Sequence, residues 1–305
     1  MRKRCFYRKV EFKKYRIFQA FWKPRTLSTS TLEVSLMETA IVTRFFIADP
    51  SRIQADQGKI LNYLIFCFAC QSVNRVYVAV NPDRDVGGTI EYLHSLSHIV
   101  PQGKSLVVIP VRPWGRYVEP LNALTGQAAT DGYEAVLSVN TEHVPTDQNI
   151  SELAVHLDEN TLAVGAALSG FHEFRRGKHK MNGMNVPADA FMLLRVQKFM
   201  LYGWQAVSEA PWVPCPPELV GTPHDPGMQE AGMKEVPSFS LIQRMLEPEH
   251  AQVKLVRVTG AQRDTSSITG DRKKLDDLKR RSAIARVEKQ MTLARIPYGT
   301  VIHVA

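Results

Sequence analysis

Acidic and amide side chains follow two apolar segments of the sequence, and their types and spacing could support chemistry. Asp83 and Asp85 follow the run RVYVAV, while Asn140 and Glu142 follow YEAVLSV, which ends abruptly in Asn-Thr-Glu. A further acid, Glu235, precedes an apolar helical segment. Carboxylate and amide oxygens are ligands that Mg²⁺ and Mn²⁺ prefer, and a carboxylate can accept a proton from a reacting hydroxyl. The spacing predicts either a ligand site or ordinary solvated turns after strands.

The elements that must position these side chains alternate along the chain from residue 39 onward. β-branched and aromatic runs alternate with segments of helical periodicity, a pattern typical of βαβ units. The sequence therefore predicts the α/β class, with a mostly parallel central sheet flanked by helices. The predicted strands are 39–48, 75–80, 105–111, 133–139, 161–168 and 251–258. The predicted helices are 54–72, 89–99, 119–130, 149–157, 188–204, 236–246 and 271–291. Ligands on such sheets bind beyond the carboxyl ends of the strands.

Three segments between or after these elements have distinctive compositions. Residues 169–187 carry glycines and basic residues, and residues 211–234 are dense in Pro and Gly, so both are predicted to be loops. The segment 271–291 is highly charged, and we expect a helix on the outside of the protein or against a partner.

The basic charge is concentrated at the amino terminus. The chain has 38 Lys and Arg and 30 acidic residues, which gives a net charge of +8. Ten of the basic and two of the acidic residues lie in 1–36. The rest of the chain therefore has 28 of each and is neutral. We therefore expect no nucleic-acid groove in the folded body. Residues 1–36 fit a transit peptide, a tail or a mispredicted start before Met37. The expected location is cytoplasmic, or organellar if residues 1–36 are a transit peptide.

Cysteine content and hydropathy argue against a zinc-binding protein and a membrane-spanning protein. Cys67 and Cys70 form a CxxC within an apolar helical run, with no second ligand pair for zinc, so they are predicted to be small buried apolar residues. The longest apolar run, at 60–70, is shorter than the roughly 20 residues that a membrane helix needs.

The order of elements and the local motifs resemble a family-2-like glycosyltransferase of the GT-A fold. The similarity lies in RVYVAVNPDRD, in EPLNALTGQAATDGYEAVLSVNTE, in ADAFMLLRVQKFMLYGW and in AGMKEVPSFSLIQRML. The resemblance implies a single GT-A-like (Rossmann-like) domain at 37–260, between the extension 1–36 and a helical extension at 261–305. It also implies a nucleotide-sugar donor and an acceptor that the sequence does not identify.

The resemblance assigns roles to particular residues. It implies that four residues bind the nucleotide sugar. These are Asp83 and Asp85 after the second strand, Asn122 in the third helix, and Asn140 at the place of the first aspartate of Asp-x-Asp. Glu142 would hold Mn²⁺ or Mg²⁺ together with the donor phosphates, and Glu235 would be the general base. The acceptor side would include Asp189 and Arg195.

Two departures from the family pattern keep alternatives open. Asn140 replaces an aspartate, and Glu235-Val236 replaces a Glu-Asp pair. The main hypothesis is a soluble, non-processive, inverting glycosyltransferase. One alternative is an inactive binding protein of the same fold. The other is a nucleotidyltransferase of related fold, although a Gly-rich loop after the first strand is absent from IADPSRIQADQGK.

Overall fold

A computed structural model describes most of the chain from residue 39 onward. The described residues are 39–45, 53–85, 88–114, 118–169, 171–205, 235–260, 284, 287–288, 290–292 and 294–305. The predicted extension 1–36 and most of the Pro/Gly-rich segment therefore lie outside the described residues.

Within these residues the architecture is a mixed α/β sheet of nine strands with helices on both faces. The strands β1 to β9 are Thr39–Phe45, Val73–Val80, Ser105–Pro110, Ala135–Val139, Thr161–Ala166, Gly177–Lys180, Phe191–Arg195, Gln252–Val256 and Thr300–Val304. The helices α1 to α6 are Ile53–Ala69, Thr89–Ser95, Val118–Thr130, Asp147–Ala154, Val196–Phe199 and Glu235–Leu246.

The strand order reverses next to β1. The order is β3-β2-β1-β4-β7-β5-β8-β9-β6, so the chain first moves outward from β1 through β2 to β3 and then returns to the other side of β1. β2 and β4 both pair with β1 in parallel. Their carboxyl ends therefore share one edge of the sheet, and the junction between β1 and β4 is a topological switch point, where open α/β sheets bind ligands.

Apolar residues on alternate positions of the strands form two core layers. Ala40 and Val42 of β1 face a layer that includes Leu121 and Leu124 of α3. Ile41 of β1 faces the other layer, which includes residues of α1, α2 and α4. This period-two alternation is what buries both faces of the sheet, and it places the even-numbered residues of β1 on the α3 side.

The predicted helix at 188–204 is wrong. The structure has a strand there, β7, which pairs antiparallel with both β4 and β5 and is followed by the short helix α5. The strand residues from Phe191 to Leu194 are buried on both faces of the sheet. A short, continuously apolar run fits a buried strand as well as a helix, so periodicity did not distinguish them.

Two strands were not predicted. β6 lies within the segment 169–187 that was predicted as a loop, and β9 lies near the carboxyl terminus. β9 pairs in parallel with β8 and antiparallel with β6, so the last residues of the chain belong to the central sheet. Val287 and Met291, from the segment expected on the outside, are buried in the α3-side core.

The two cysteines of the CxxC motif are buried and form no disulfide. Cys67 and Cys70 are both free thiols. Burial raises the pKa of Cys67 to about 12 and that of Cys70 to about 11, which disfavours the reactive thiolate. Among the described residues, no helix has the length and hydropathy needed to cross a bilayer.

Candidate functional site

The residues after β2 form a compact capped turn. The Asn81 side chain accepts a hydrogen bond from the backbone N–H of Asp83 at 3.0 Å. Both carboxylate oxygens of Asp85 accept backbone N–H bonds, at 2.6 Å from Thr89 and at 3.1 Å from Ile90, so Asp85 caps the start of α2. Asp83 lies within this turn and is exposed. Asp85 thus has a clear structural role beside its predicted one in nucleotide-sugar binding.

A basic residue from β3's carboxyl end reaches the same turn. The guanidinium of Arg112 lies 2.8 Å from a carboxylate oxygen of Asp83, and both side chains are largely exposed. An ion pair this exposed adds little stability, so a ligand could replace either partner at small cost.

The residues after β4 fold back on themselves. The Asn140 side-chain oxygen accepts bonds from the backbone N–H of Glu142 at 3.1 Å and from Nδ1 of His143 at 2.7 Å. The Asn140 N–H donates to the carbonyl of Ala190 at 3.2 Å. The amide therefore shapes the turn, while Glu142 is exposed at the edge of the sheet.

Two carboxylates and a guanidinium meet at the switch point. Arg44, the next-to-last residue of β1, donates to a carboxylate oxygen of Asp189 at 3.4 Å. The backbone N–H of Asp189 donates to Oε1 of Glu235 at 3.2 Å. The Ser138 hydroxyl of β4 donates to the Asp189 carbonyl at 2.9 Å. Residue 189 is therefore held by β1, β4 and α6 together, in an arrangement that we call the Asp189 bridge.

The members of the Asp189 bridge differ in their access to solvent. Glu235, the first residue of α6, is only 3 % exposed. The side chains of Arg44 and Asp189 retain 25 % and 20 % of their exposure, so both contact solvent. Glu235 is thus more deeply buried than the two groups beside it.

The strand register shows that the polar turns share this edge. Val80, the last residue of β2, is opposite Phe45 of β1. Ser138 of β4 is opposite Val42, which places Asn140 at the level of Arg44. Because β2 and β4 flank β1 at the usual strand spacing, their ends lie about 10 Å apart, a separation that a nucleotide can span.

Asn122 has a structural role in this structure. Its side-chain amide donates to the carbonyl of Trp204 at 3.1 Å, and its oxygen accepts from the backbone N–H of Trp204 at 2.7 Å. The neighbouring Gly203 adopts a φ of +62°, and a Cβ there would lie 2.7 Å from the Asn122 oxygen. Asn122 therefore anchors the chain after α5, and its predicted part in donor binding remains a prediction.

Arg195 lies at the opposite edge of the sheet from Asp189. It ends β7, which is antiparallel, and it is paired with Ala135 at the amino end of β4. Its guanidinium donates to the carbonyls of Leu157 at 2.8 Å and Asp158 at 3.1 Å. A helix through 188–204 was expected to present both residues to the acceptor, and the strand separates them instead.

The described residues do not fit a resident metal ion. No group of three or more His, Cys, Asp or Glu side chains in the described part of the chain is arranged to hold one. Asp85 and Asn140 use their oxygens in the turns described above. Ions such as Mn²⁺ need several oxygen ligands, which this set does not bring together.

Sequence reasoning missed Arg44 and Ser138. Each is a polar residue within an apolar strand, Arg44 in TAIVTRFFIA and Ser138 in YEAVLSV. A charged or hydroxyl side chain near the carboxyl end of an otherwise apolar strand was the available signal, because such a group needs a partner when the strand is buried.

Comparisons with known proteins give limited similarity. No protein-family model and no curated protein matches the sequence. Among solved structures, 4-diphosphocytidyl-2C-methyl-D-erythritol synthase from Anaerococcus prevotii is 10% identical, with 57% of this chain and 76% of that chain covered and a TM-score of 0.39. A protein described as a nucleotide-diphospho-sugar transferase from Desulfovibrio desulfuricans is 12% identical, with coverages of 85% and 97% and a TM-score of 0.38.

A third structure, mannose-1-phosphate geranyltransferase from Thermus thermophilus, is 15% identical over 54% of each chain, with a TM-score of 0.27. Similarity at this level does not determine function, because one fold supports many activities.

Proposed function

We propose that this protein is a transferase that binds a nucleotide-activated sugar in the crevice between β1 and β4 and transfers the sugar to an acceptor hydroxyl. The observation that carries the proposal is the Asp189 bridge, which brings Arg44, Asp189 and Glu235 together at the switch point. A guanidinium suits phosphate binding, and a buried carboxylate beside it suits proton transfer.

In the proposed reaction Glu235 acts as the general base. It accepts the proton of the acceptor hydroxyl while that oxygen bonds to the anomeric carbon. The bond from the anomeric carbon to the diphosphate oxygen breaks, and its electron pair leaves with the nucleoside diphosphate. Because attack and departure occur on opposite faces, the product has inverted configuration. The N–H of Asp189 holds Oε1 of Glu235 in place for this step.

The turns after β2 and β4 complete the proposed donor site. Asp83, which Arg112 contacts at 2.8 Å, is the exposed acid of the first turn and is proposed to bind the nucleoside. Glu142 is exposed at the end of β4 and is proposed to face the donor. Because Glu235 is only 3 % exposed, the acceptor must enter the crevice to reach it.

The proposal is tested on the purified full chain with UDP-glucose, UDP-N-acetylglucosamine and GDP-mannose. We expect at least one of them to raise the unfolding temperature, since a ligand bound only to the folded state stabilises it. We also expect slow release of nucleoside diphosphate, with water replacing the acceptor. In Glu235→Gln the thermal shift should persist, while release falls about 100-fold or more, the usual contribution of a general base.

Glu249→Gln is the matched control, because it neutralises an exposed glutamate just beyond the other end of α6. It should release nucleoside diphosphate at the wild-type rate. Absence of any thermal shift would contradict the proposal. Binding without release in the wild type would favour the inactive binding protein, and pyrophosphate release from a nucleoside triphosphate and a sugar phosphate would favour a nucleotidyltransferase.

A further inference from the structure

The oxygens expected to bind a cation at the crevice are largely used to shape the polypeptide. The Asn140 oxygen accepts two hydrogen bonds within its own turn. Both oxygens of Asp85 accept backbone N–H bonds at the start of α2. The Asn140 oxygen, which accepts two bonds, could bind a cation only by giving one of them up, and each Asp85 oxygen keeps a single lone pair. In the part of the chain that the structure describes, this donor set is poor for a divalent ion.

A cationic side chain already lies where the donor phosphates are expected. Arg44 is at the carboxyl end of β1, beside the switch point, and its position in the strand places it on the α3 side together with Asp189. One quarter of its side chain is exposed. A guanidinium offers several N–H donors in a plane and binds phosphate oxygens in pairs.

The contact between Arg44 and Asp189 is longer than a typical ion-pair hydrogen bond. The nitrogen and oxygen are 3.4 Å apart, whereas charge-assisted N–H···O bonds are typically about 2.7–2.9 Å long. A diphosphate carries more negative charge than a carboxylate. It would therefore compete with Asp189 for the guanidinium.

We infer that Arg44 binds the diphosphate of the donor and that the site does so without a resident divalent cation. This inference rests on the proposed function and specifies how the same site holds its substrate. As the bond between the anomeric carbon and the diphosphate oxygen breaks, negative charge develops on that oxygen. The guanidinium N–H groups of Arg44 stabilise this charge in the role that Mn²⁺ or Mg²⁺ was expected to have.

The test measures binding of UDP and GDP to the full chain by calorimetry, in EDTA and then in Mn²⁺ or Mg²⁺. We expect one of the two nucleotides to bind in EDTA, with a Kd that the metals change by less than about threefold. Arg44→Ala should raise this Kd about tenfold or more, which corresponds to about 1.4 kcal/mol. Arg44→Lys should retain an intermediate affinity, because Lys keeps the charge but loses the paired donors.

Lys59→Ala is the matched control, since it removes an equally positive side chain that is 64 % exposed on α1. Its Kd should equal that of the wild type. Nucleotide binding that requires the metal would overturn the inference and leave the proposed function standing, as would an unchanged Kd in Arg44→Ala. Failure of both nucleotides to bind in any condition would overturn the inference and the proposed function together. The EDTA comparison uses only the wild type, so it tests whether nucleotide binding needs a cation even if Arg44→Ala fails to fold.

Discussion

At the scale of single residues, the sequence identified some of the polar groups near the edge, misplaced Arg195, and did not show which groups contact each other. Glu235 and Asp189 were both predicted site residues, and the structure joins them directly. Arg44 was missed because its significance depends on Asp189, which is 145 positions away in the chain. Asp85 and Asn122 show the converse, since hydrogen bonds to the backbone, local for Asp85 and to distant Trp204 for Asn122, occupy side chains that the resemblance associates with the donor.

His172 makes the stability of the protein depend on pH. Nδ1 of His172 accepts the backbone N–H of Leu168 at 2.9 Å, which requires the neutral ring. Burial, together with the nearby His303 and His143, lowers the pKa of His172 from 6.5 to about 4, against a backbone hydrogen bond with Val186 that raises it. The folded state therefore disfavours the charged ring.

The sign of the pH effect follows from proton binding. Between pH 6.5 and 4 the unfolded chain binds a proton at His172 that the folded chain does not. The contribution of His172 to the free energy of unfolding is therefore fully present above pH 6.5. It is lost as the pH falls toward 4, a decrease of about 3 kcal/mol. Urea unfolding at several pH values should show a smaller decline in His172→Gln. Equal declines in the two proteins would contradict this.

At the scale of elements, the βαβ region from β1 to β5 was predictable because long amphipathic helices alternate with apolar strands. β7 was not, since its short apolar run lacks a period of its own and its place between β4 and β5 is fixed by pairing with distant strands. β9 is a five-residue strand beyond the last predicted helix, and only its pairing with β8 and β6 defines it.

The segment that leads to Asp189 passes close to β5. A Cβ at Gly165 would lie 2.4 Å from Cβ and 2.9 Å from Cα of Pro187, two residues before Asp189. Gly165→Ala should therefore displace Pro187 and destabilise the protein by about 1–3 kcal/mol, as overpacking does. Urea unfolding measures the change in the free energy of unfolding.

Gly58→Ala is the matched comparison, because Gly58 lies in α1 with no atom within 4 Å of the added Cβ. In a helix this substitution should stabilise the protein by about 0.5–1 kcal/mol. If Gly165→Ala were as stable as the wild type, the close approach of Pro187 to β5 would not constrain the segment that carries Asp189.

At the scale of the whole molecule, one feature of topology determines where the proposed site lies. The strand order reverses at β1, and the side chains that meet there come from β1, β4, α6 and the segment before β7. The sequence predicted the sheet class and the shared edge. It did not predict the switch point itself, because that depends on the complete strand order.

The location of a bound nucleotide tests the central claim most directly. Crystals of the full chain soaked with uridine or guanosine diphosphate should show the diphosphate between the carboxyl ends of β1 and β4, within hydrogen-bond distance of the Arg44 guanidinium. A diphosphate bound elsewhere on the molecule, or a crevice still closed by the contact between Arg44 and Asp189 at saturating nucleotide, would contradict the account.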